Sequence, residues 1–185
     1  MIIFDLLMLT VALFISVSLI FSTVKLGISP MPSSTKAYTT MIKLVDNTGS
    51  GPIIDLGSGW GSFVLRAAKN NPQRQIVGYE LSLLPWLVSI LLKKLLNLNN
   101  LTLYRQNFYN VNLSEVSVLV CFLYPEAMEK IKTKLILEQF KVEFLISNNF
   151  ALPSWQSYKV IYLDDFYQSP IYLYKICKGD LDSEH

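Results

Sequence analysis

From residue 52 onward the chain alternates short apolar runs with polar stretches that carry glycine or proline. Ile53, Ile54 and Leu56 form a run of the kind a central parallel strand shows when both its faces are buried. Gln75–Tyr79, Leu101–Arg105, Val116–Leu123 and Phe140–Ser147 repeat the pattern, with helical stretches over 62–70, 85–96 and 127–139 between the runs. Tyr158–Leu163 and Ile171–Ile176 alternate in part and are joined through Asp164, Asp165 and Pro170, which predicts an antiparallel pair at one sheet edge. Seven strands with helices between the first five read as α/β and doubly wound. The 85–96 helix opens at Pro85 and is apolar almost all round, with Lys93 and Lys94 near its end. Such a helix is either sandwiched between layers or rests on a membrane surface.

The start of the chain has a different pattern. No charge occurs from Leu6 to Val24, a length that suffices for a helix to span a hydrocarbon core. A cleaved signal would want basic residues first and a small-residue cleavage site after; the chain has Asp5 before and Lys25 after. Residues 2–24 are therefore expected to form an uncleaved single-pass anchor, with a buried core helix as the remaining alternative. Lys25, Lys36 and Lys43 follow it, so the positive-inside rule puts the remaining domain on the cytoplasmic or an equivalent face. A linker over 27–34 leads to a short helix, Thr35–Val45, capped by Ser33 or Ser34 and apolar along Ala37, Met41 and Leu44. The expected division is anchor and flank 1–26, linker and helix 27–51, ligand-binding domain 52–178 and tail 179–185.

Composition narrows the chemistry. Hydrophobic residues make up 51% of the 185, and the mean hydropathy of +0.36 fits a membrane segment. A net charge of +2 implies no strong field for nucleic acid. Cys121 and Cys177 sit in apolar runs, as small buried hydrophobes do. His185 is the sole histidine, which argues against Ser-His-Asp and Cys-His chemistry and against a histidine-based metal centre.

The candidate chemistry lies in Asp55-Leu56-Gly57-Ser58-Gly59-Trp60-Gly61, between the first strand and a helix opening at Ser62. Glycines at alternate positions let the backbone turn sharply and let a ligand approach it. The second strand ends at Glu80, where a carboxylate can accept both hydroxyls of a ribose. A dinucleotide loop has other spacing and holds a pyrophosphate. Asp55 would repel that anion and attract an ammonium. The run resembles motif I of class I S-adenosylmethionine (SAM) dependent methyltransferases, with their seven-stranded Rossmann-like sheet. The resemblance implies that Gly57, Gly59 and Gly61 line the methionine part, that Asp55 orients its amino group and that Glu80 takes the ribose. It also implies that Asn107, with Phe108 beside it, meets the adenine. Tyr124 and Glu126, after the fourth strand, stand where such enzymes face the methyl group; Pro125 and Glu126 equally suit the start of a helix. Trp155, after the fifth strand, is a lid or a core cover.

Pro30-Met31-Pro32-Ser33-Ser34, Gly78-Tyr79-Glu80-Leu81 before Pro85-Trp86-Leu87, and Leu123-Tyr124-Pro125-Glu126-Ala127-Met128 carry a narrower likeness. Over residues 25–175 the chain resembles the membrane-anchored protein lysine methyltransferases that act on the ATP synthase c subunit and the adenine nucleotide translocase, and their prokaryotic relatives. The resemblance implies methylation of a lysine amine on a membrane or membrane-associated protein, with Pro32 to Thr35 close to the cofactor. A methyltransferase for a small or lipid-like membrane substrate, and a SAM-binding module without catalysis, remain alternatives. A dinucleotide oxidoreductase is disfavoured by Asp55 and the loop spacing.

Overall fold

The structure is a computed structural model that describes residues 3–10, 13, 16–17, 33–113, 116–137 and 142–176. Residues 3–10 are helical and exposed. Most of the expected 2–24 anchor, Lys25, the linker up to Pro32, Cys177 and the 179–185 tail lie outside the described residues. Among the described residues no helix is long and apolar enough to cross a membrane.

In chain order the elements are α1 (Thr35–Val45), β1 (Ile53–Leu56), α2 (Ser62–Asn70), β2 (Ile76–Tyr79), α3 (Leu83–Leu95), β3 (Leu101–Tyr104), a 3-10 turn (Phe108–Asn110), β4 (Val118–Cys121), α4 (Pro125–Leu137), β5 (Phe144–Asn148), β6 (Lys159–Tyr162) and β7 (Pro170–Lys175). They build one seven-stranded sheet ordered β3-β2-β1-β4-β5-β7-β6. β1 to β5 pair in parallel, and β7 runs antiparallel to both β5 and β6. The predicted edge pair is therefore present, with the last strand inserted between the fifth and the sixth. Strand order reverses at β1, whose neighbours are β2 and β4. In open α/β sheets the crevice for a ligand forms at the carboxyl ends of the strands flanking such a reversal.

Alternation along the strands sorts the core into two layers. Ile53, Val118, Val120 and Ile146 face α1 and α2, whereas Ile54, Leu56, Leu119 and Leu145 face Ala127, Met128, Ile131 and Leu135 of α4. Each such aliphatic side chain contributes roughly 1.5–3 kcal/mol by leaving water. α1 starts where the Ser34 hydroxyl accepts from the Ala37 N–H at 3.1 Å, so Ser34 is the cap of the two expected. At its other end, Arg74 donates from Nη1 to the Val45 carbonyl at 2.9 Å and from Nε to the Gly51 carbonyl at 2.8 Å. That buried guanidinium ties the last turn of α1 and the approach to β1 onto the segment before β2.

α3 departs from a sandwiched helix. Only Pro85 and Ser89 are buried, while Leu87, Leu91 and Leu95 are 46%, 57% and 67% exposed. The reason is position: α3 packs against β3, the sheet edge, and against α2, which leaves its outer face open.

Candidate cofactor site

The carboxyl ends of β1, β2 and β4 frame a cavity of about 370 Å³. Asp55, Gly57, Gly59, Glu80, Asn107, Phe108 and Tyr124 all line it. Local structure accounts for their convergence. Gly57 (φ 85°) and Gly59 (φ 52°) carry the chain from β1 to α2 through left-handed backbone that side chains disfavour. Gly59 donates its N–H to Glu80 Oε2 at 2.8 Å, and Ser82 donates its N–H to Oε1 at 2.6 Å. The two donors fix the carboxylate and leave each oxygen a further lone pair for a ligand hydroxyl. Asn107 caps the 3-10 turn, its Oδ1 accepting from the Tyr109 N–H at 3.0 Å.

Two predicted residues lie elsewhere. Gly61 is absent from the lining; with φ 77° it caps α2, and a Cβ there would come within 2.7 Å of Ser89 Oγ. Its bare backbone lets α2 approach α3, which gives this glycine a packing reason of its own. Glu126 is exposed in the first turn of α4, outside the lining, where a carboxylate complements the helix dipole. The helix-start explanation of Pro125 and Glu126 accounts for both.

Other lining residues escaped sequence reasoning. Met41 of α1 is expected on the helix's apolar face and no motif marks Tyr38, yet both reach the cavity. The Tyr38 hydroxyl accepts the Ser33 N–H at 2.9 Å, and Ser33 lines the cavity as well, from the linker expected near the cofactor. Phe122 and Phe150 stack with ring centroids 6.3 Å apart, and Tyr109 supplies a further wall. The run Asn107-Phe108-Tyr109 was the available signal for Tyr109. Burial, and then Tyr124 and Cys121, push the Tyr109 phenol up to about 12, so it stays a neutral donor. Burial likewise pushes the Cys121 thiol up to about 12, which leaves it an inert part of the wall.

Charge decides what the cavity suits. Among the described residues its lining holds two carboxylates, Asp55 and Glu80, and no lysine, arginine or histidine. Asp55 is 6% exposed, and burial followed by the charge of Glu80 pushes its carboxyl up to about 8. A buried acid held protonated by a neighbouring acid is stabilised as an anion when a cation arrives. Ser58 Oγ, buried in the same wall, has no hydrogen-bond partner among the described residues. A side chain at Gly59 would meet no protein atom within 4 Å, so the loop leaves room beside its backbone. These features fit the ammonium and sulfonium of SAM and oppose a pyrophosphate. Among the described residues no group of three His, Cys, Asp or Glu could hold a metal ion.

Residues 55–159, more than half of the chain, match the model of the ANTKMT methyltransferase domain. The chain belongs to this family. It is a SAM-dependent class I methyltransferase, and Asp55 opens the matched region. A protein-lysine N-methyltransferase of Saccharolobus islandicus (strain REY15A) is 27% identical over 153 residues, covering 79% of this chain and 92% of that protein. The adenine nucleotide translocase lysine N-methyltransferase of Mus musculus is 32% identical over 114 residues, covering 60% of this chain and 48% of that protein. The chain thus spans nearly all of the Saccharolobus relative but about half of the mouse one. Among solved structures, an RNA methyltransferase of Salinibacter ruber in complex with S-adenosyl-L-homocysteine superposes with a TM-score of 0.70 at 22% identity. It covers 79% of this chain and 94% of that one, a likeness of fold.

Proposed function

We propose that this ANTKMT-family methyltransferase transfers a methyl group from SAM to a lysine amine of a protein, held at a membrane. The observation that carries the lysine assignment is the match to a protein-lysine N-methyltransferase over 92% of that relative's length. Two features support the membrane setting: the uncharged run from Leu6 to Val24 and the leucines that α3 leaves exposed. In this reading residues 2–24 anchor the chain, and the methyltransferase domain works on the cytoplasmic or an equivalent face.

SAM supplies an activated methyl group and its own leaving group. The protein's share is binding, alignment and exclusion of water. Asp55 holds the α-ammonium as an ion pair, Glu80 accepts the ribose hydroxyls and Asn107 meets the adenine edge. Ser58 Oγ gains a partner in the methionine carboxylate. Tyr124, half-buried after β4, offers its ring or hydroxyl to the incoming amine. No essential histidine is expected, since among the described residues none lines the cavity. An ammonium has no lone pair to attack with, so the acceptor amine must be neutral when it reacts, and its proton leaves to water. The expected outcome is single-turnover methylation that rises with pH through the alkaline range; a flat profile with chemistry rate-limiting contradicts the mechanism. The assignment itself is tested with tritiated SAM and the membrane fraction of the source cell. A discrete protein band carrying methyl-lysine is expected; label confined to lipid would assign the enzyme to a lipid-like substrate instead.

A further inference from the structure

A second cavity, about 220 Å³, lies beside the first and shares Ser33 and Phe122 with it. Its walls come from four places: the segment leading into α1, the end of β4, the end of β5 and the turn between β6 and β7. From these come Ser33, Phe122, Asn148, Asp165 and Tyr167. Asn148 is the last residue of β5 and is 2% exposed. Its amide is fixed on one side, where Nδ2 donates to Ser33 Oγ at 2.9 Å. On the other side, Oδ1 is buried with no hydrogen-bond partner among the described residues. A buried carbonyl oxygen left unpaired carries a desolvation penalty that a ligand N–H removes.

The turn between β6 and β7 supplies charge. Asp165 accepts the Ser169 N–H at 2.9 Å, and that bond holds its carboxyl below the usual carboxylate range. Next to it, Asp164 already takes a lysine ammonium of this chain, with Lys36 Nζ 3.2 Å from its carboxylate. Tyr167 and Phe122 add aromatic surface for an aliphatic stem to the same cavity.

We propose that this second cavity is the entrance for the acceptor lysine, and that Asn148 Oδ1 accepts an N–H of its amine next to the methyl donor. The inference rests on the protein-lysine reading given above. A neutral amide suits the step better than a carboxylate would. The nitrogen lone pair bonds to the methyl carbon, the carbon–sulfur bond breaks with its electron pair left on sulfur, and one proton leaves the nitrogen for water. A carbonyl accepts a hydrogen bond from the neutral amine and from the cationic product alike. A carboxylate would hold the amine as unreactive ammonium.

The direct test uses the ¹⁵N-labelled full chain with S-adenosyl-L-homocysteine, titrated with N-acetyl-lysine methylamide and, separately, N-acetyl-norleucine methylamide. The side-chain amide of Asn148 is expected to shift with the lysine compound and not with its hydrocarbon counterpart. Equal shifts, or none, overturn the proposal. Asn148→Asp keeps the size and the Ser33 contact, so cofactor affinity should stay within about twofold, while the pH–rate profile moves by about one unit or more to the alkaline side. An unmoved profile with methyl-lysine still formed by the unaltered protein sinks this inference and leaves the lysine reading standing. Label confined to lipid removes both.

Discussion

Asp55 and Glu80 share one cavity wall, and the burial of Asp55, with Glu80 beside it, gives the site a measurable proton inventory. The folded chain without ligand holds the Asp55 proton up to a pH of about 8, against 3.8 for the ordinary group. The sign follows from linkage: this stability is fully present below the ordinary value and is lost as pH rises through the folded one. The ammonium of the cofactor favours the anion, so binding near neutral pH should release about one proton. Calorimetry in buffers of different ionisation enthalpy measures that number directly. Asp55→Asn should abolish the release, and an unchanged release would contradict the role. At Glu80 the two backbone donors fix the carboxylate for the ribose. Glu80→Gln should weaken cofactor binding about 10- to 100-fold, the range expected when a charge-assisted hydrogen bond is lost. Equilibrium dialysis with labelled cofactor checks it.

Among the elements, the loop from β1 through α2 to α3 shows how backbone conformation builds the site. Gly61 joins left-handed backbone to a close helix approach, since a Cβ would come within 2.7 Å of Ser89 Oγ. Gly61→Ala should cost about 2–4 kcal/mol, combining left-handed strain with overpacking. Urea unfolding should show a lowered midpoint at unchanged slope; an unshifted midpoint would mean that α2 and α3 have room to part. These elements also mark what the sequence could convey. Ile53, Ile54 and Leu56 announced a central strand because burial on both faces leaves a continuous apolar run. Asp55, the alternating glycines and Glu80 were legible because chemistry and backbone geometry there demand particular residues. Glu126 was ambiguous in the sequence, since an acid suits a helix start as readily as it suits an incoming amine, and the structure puts it in the first turn of α4 outside the cavity lining. Tyr38, Met41 and Asn148 were hidden for the converse reason: Met41 fits a helix's apolar face, Asn148 follows the expected end of the fifth strand, Tyr38 belongs to no motif, and only the tertiary arrangement brings them to a cavity. The apolar character of α3 was plain, but which of its faces is covered depends on its place at the β3 edge.

For the whole molecule, the sheet reversal at β1 puts the cofactor cavity at the carboxyl ends of β1, β2 and β4, and the antiparallel β6–β7 pair closes the far side over the second cavity. Between β5 and β6 there is only the short connection from Asn149 to Tyr158, with no inserted domain. The most direct measurement incubates purified full-length protein, tritiated SAM and source-cell membranes, with Asp55→Ala/Glu80→Ala as control. Mass spectrometry then examines any labelled band. A discrete protein band carrying methyl-lysine, absent with the control, is the predicted result. Cofactor bound normally by the unaltered protein, with no label in any protein, would contradict it.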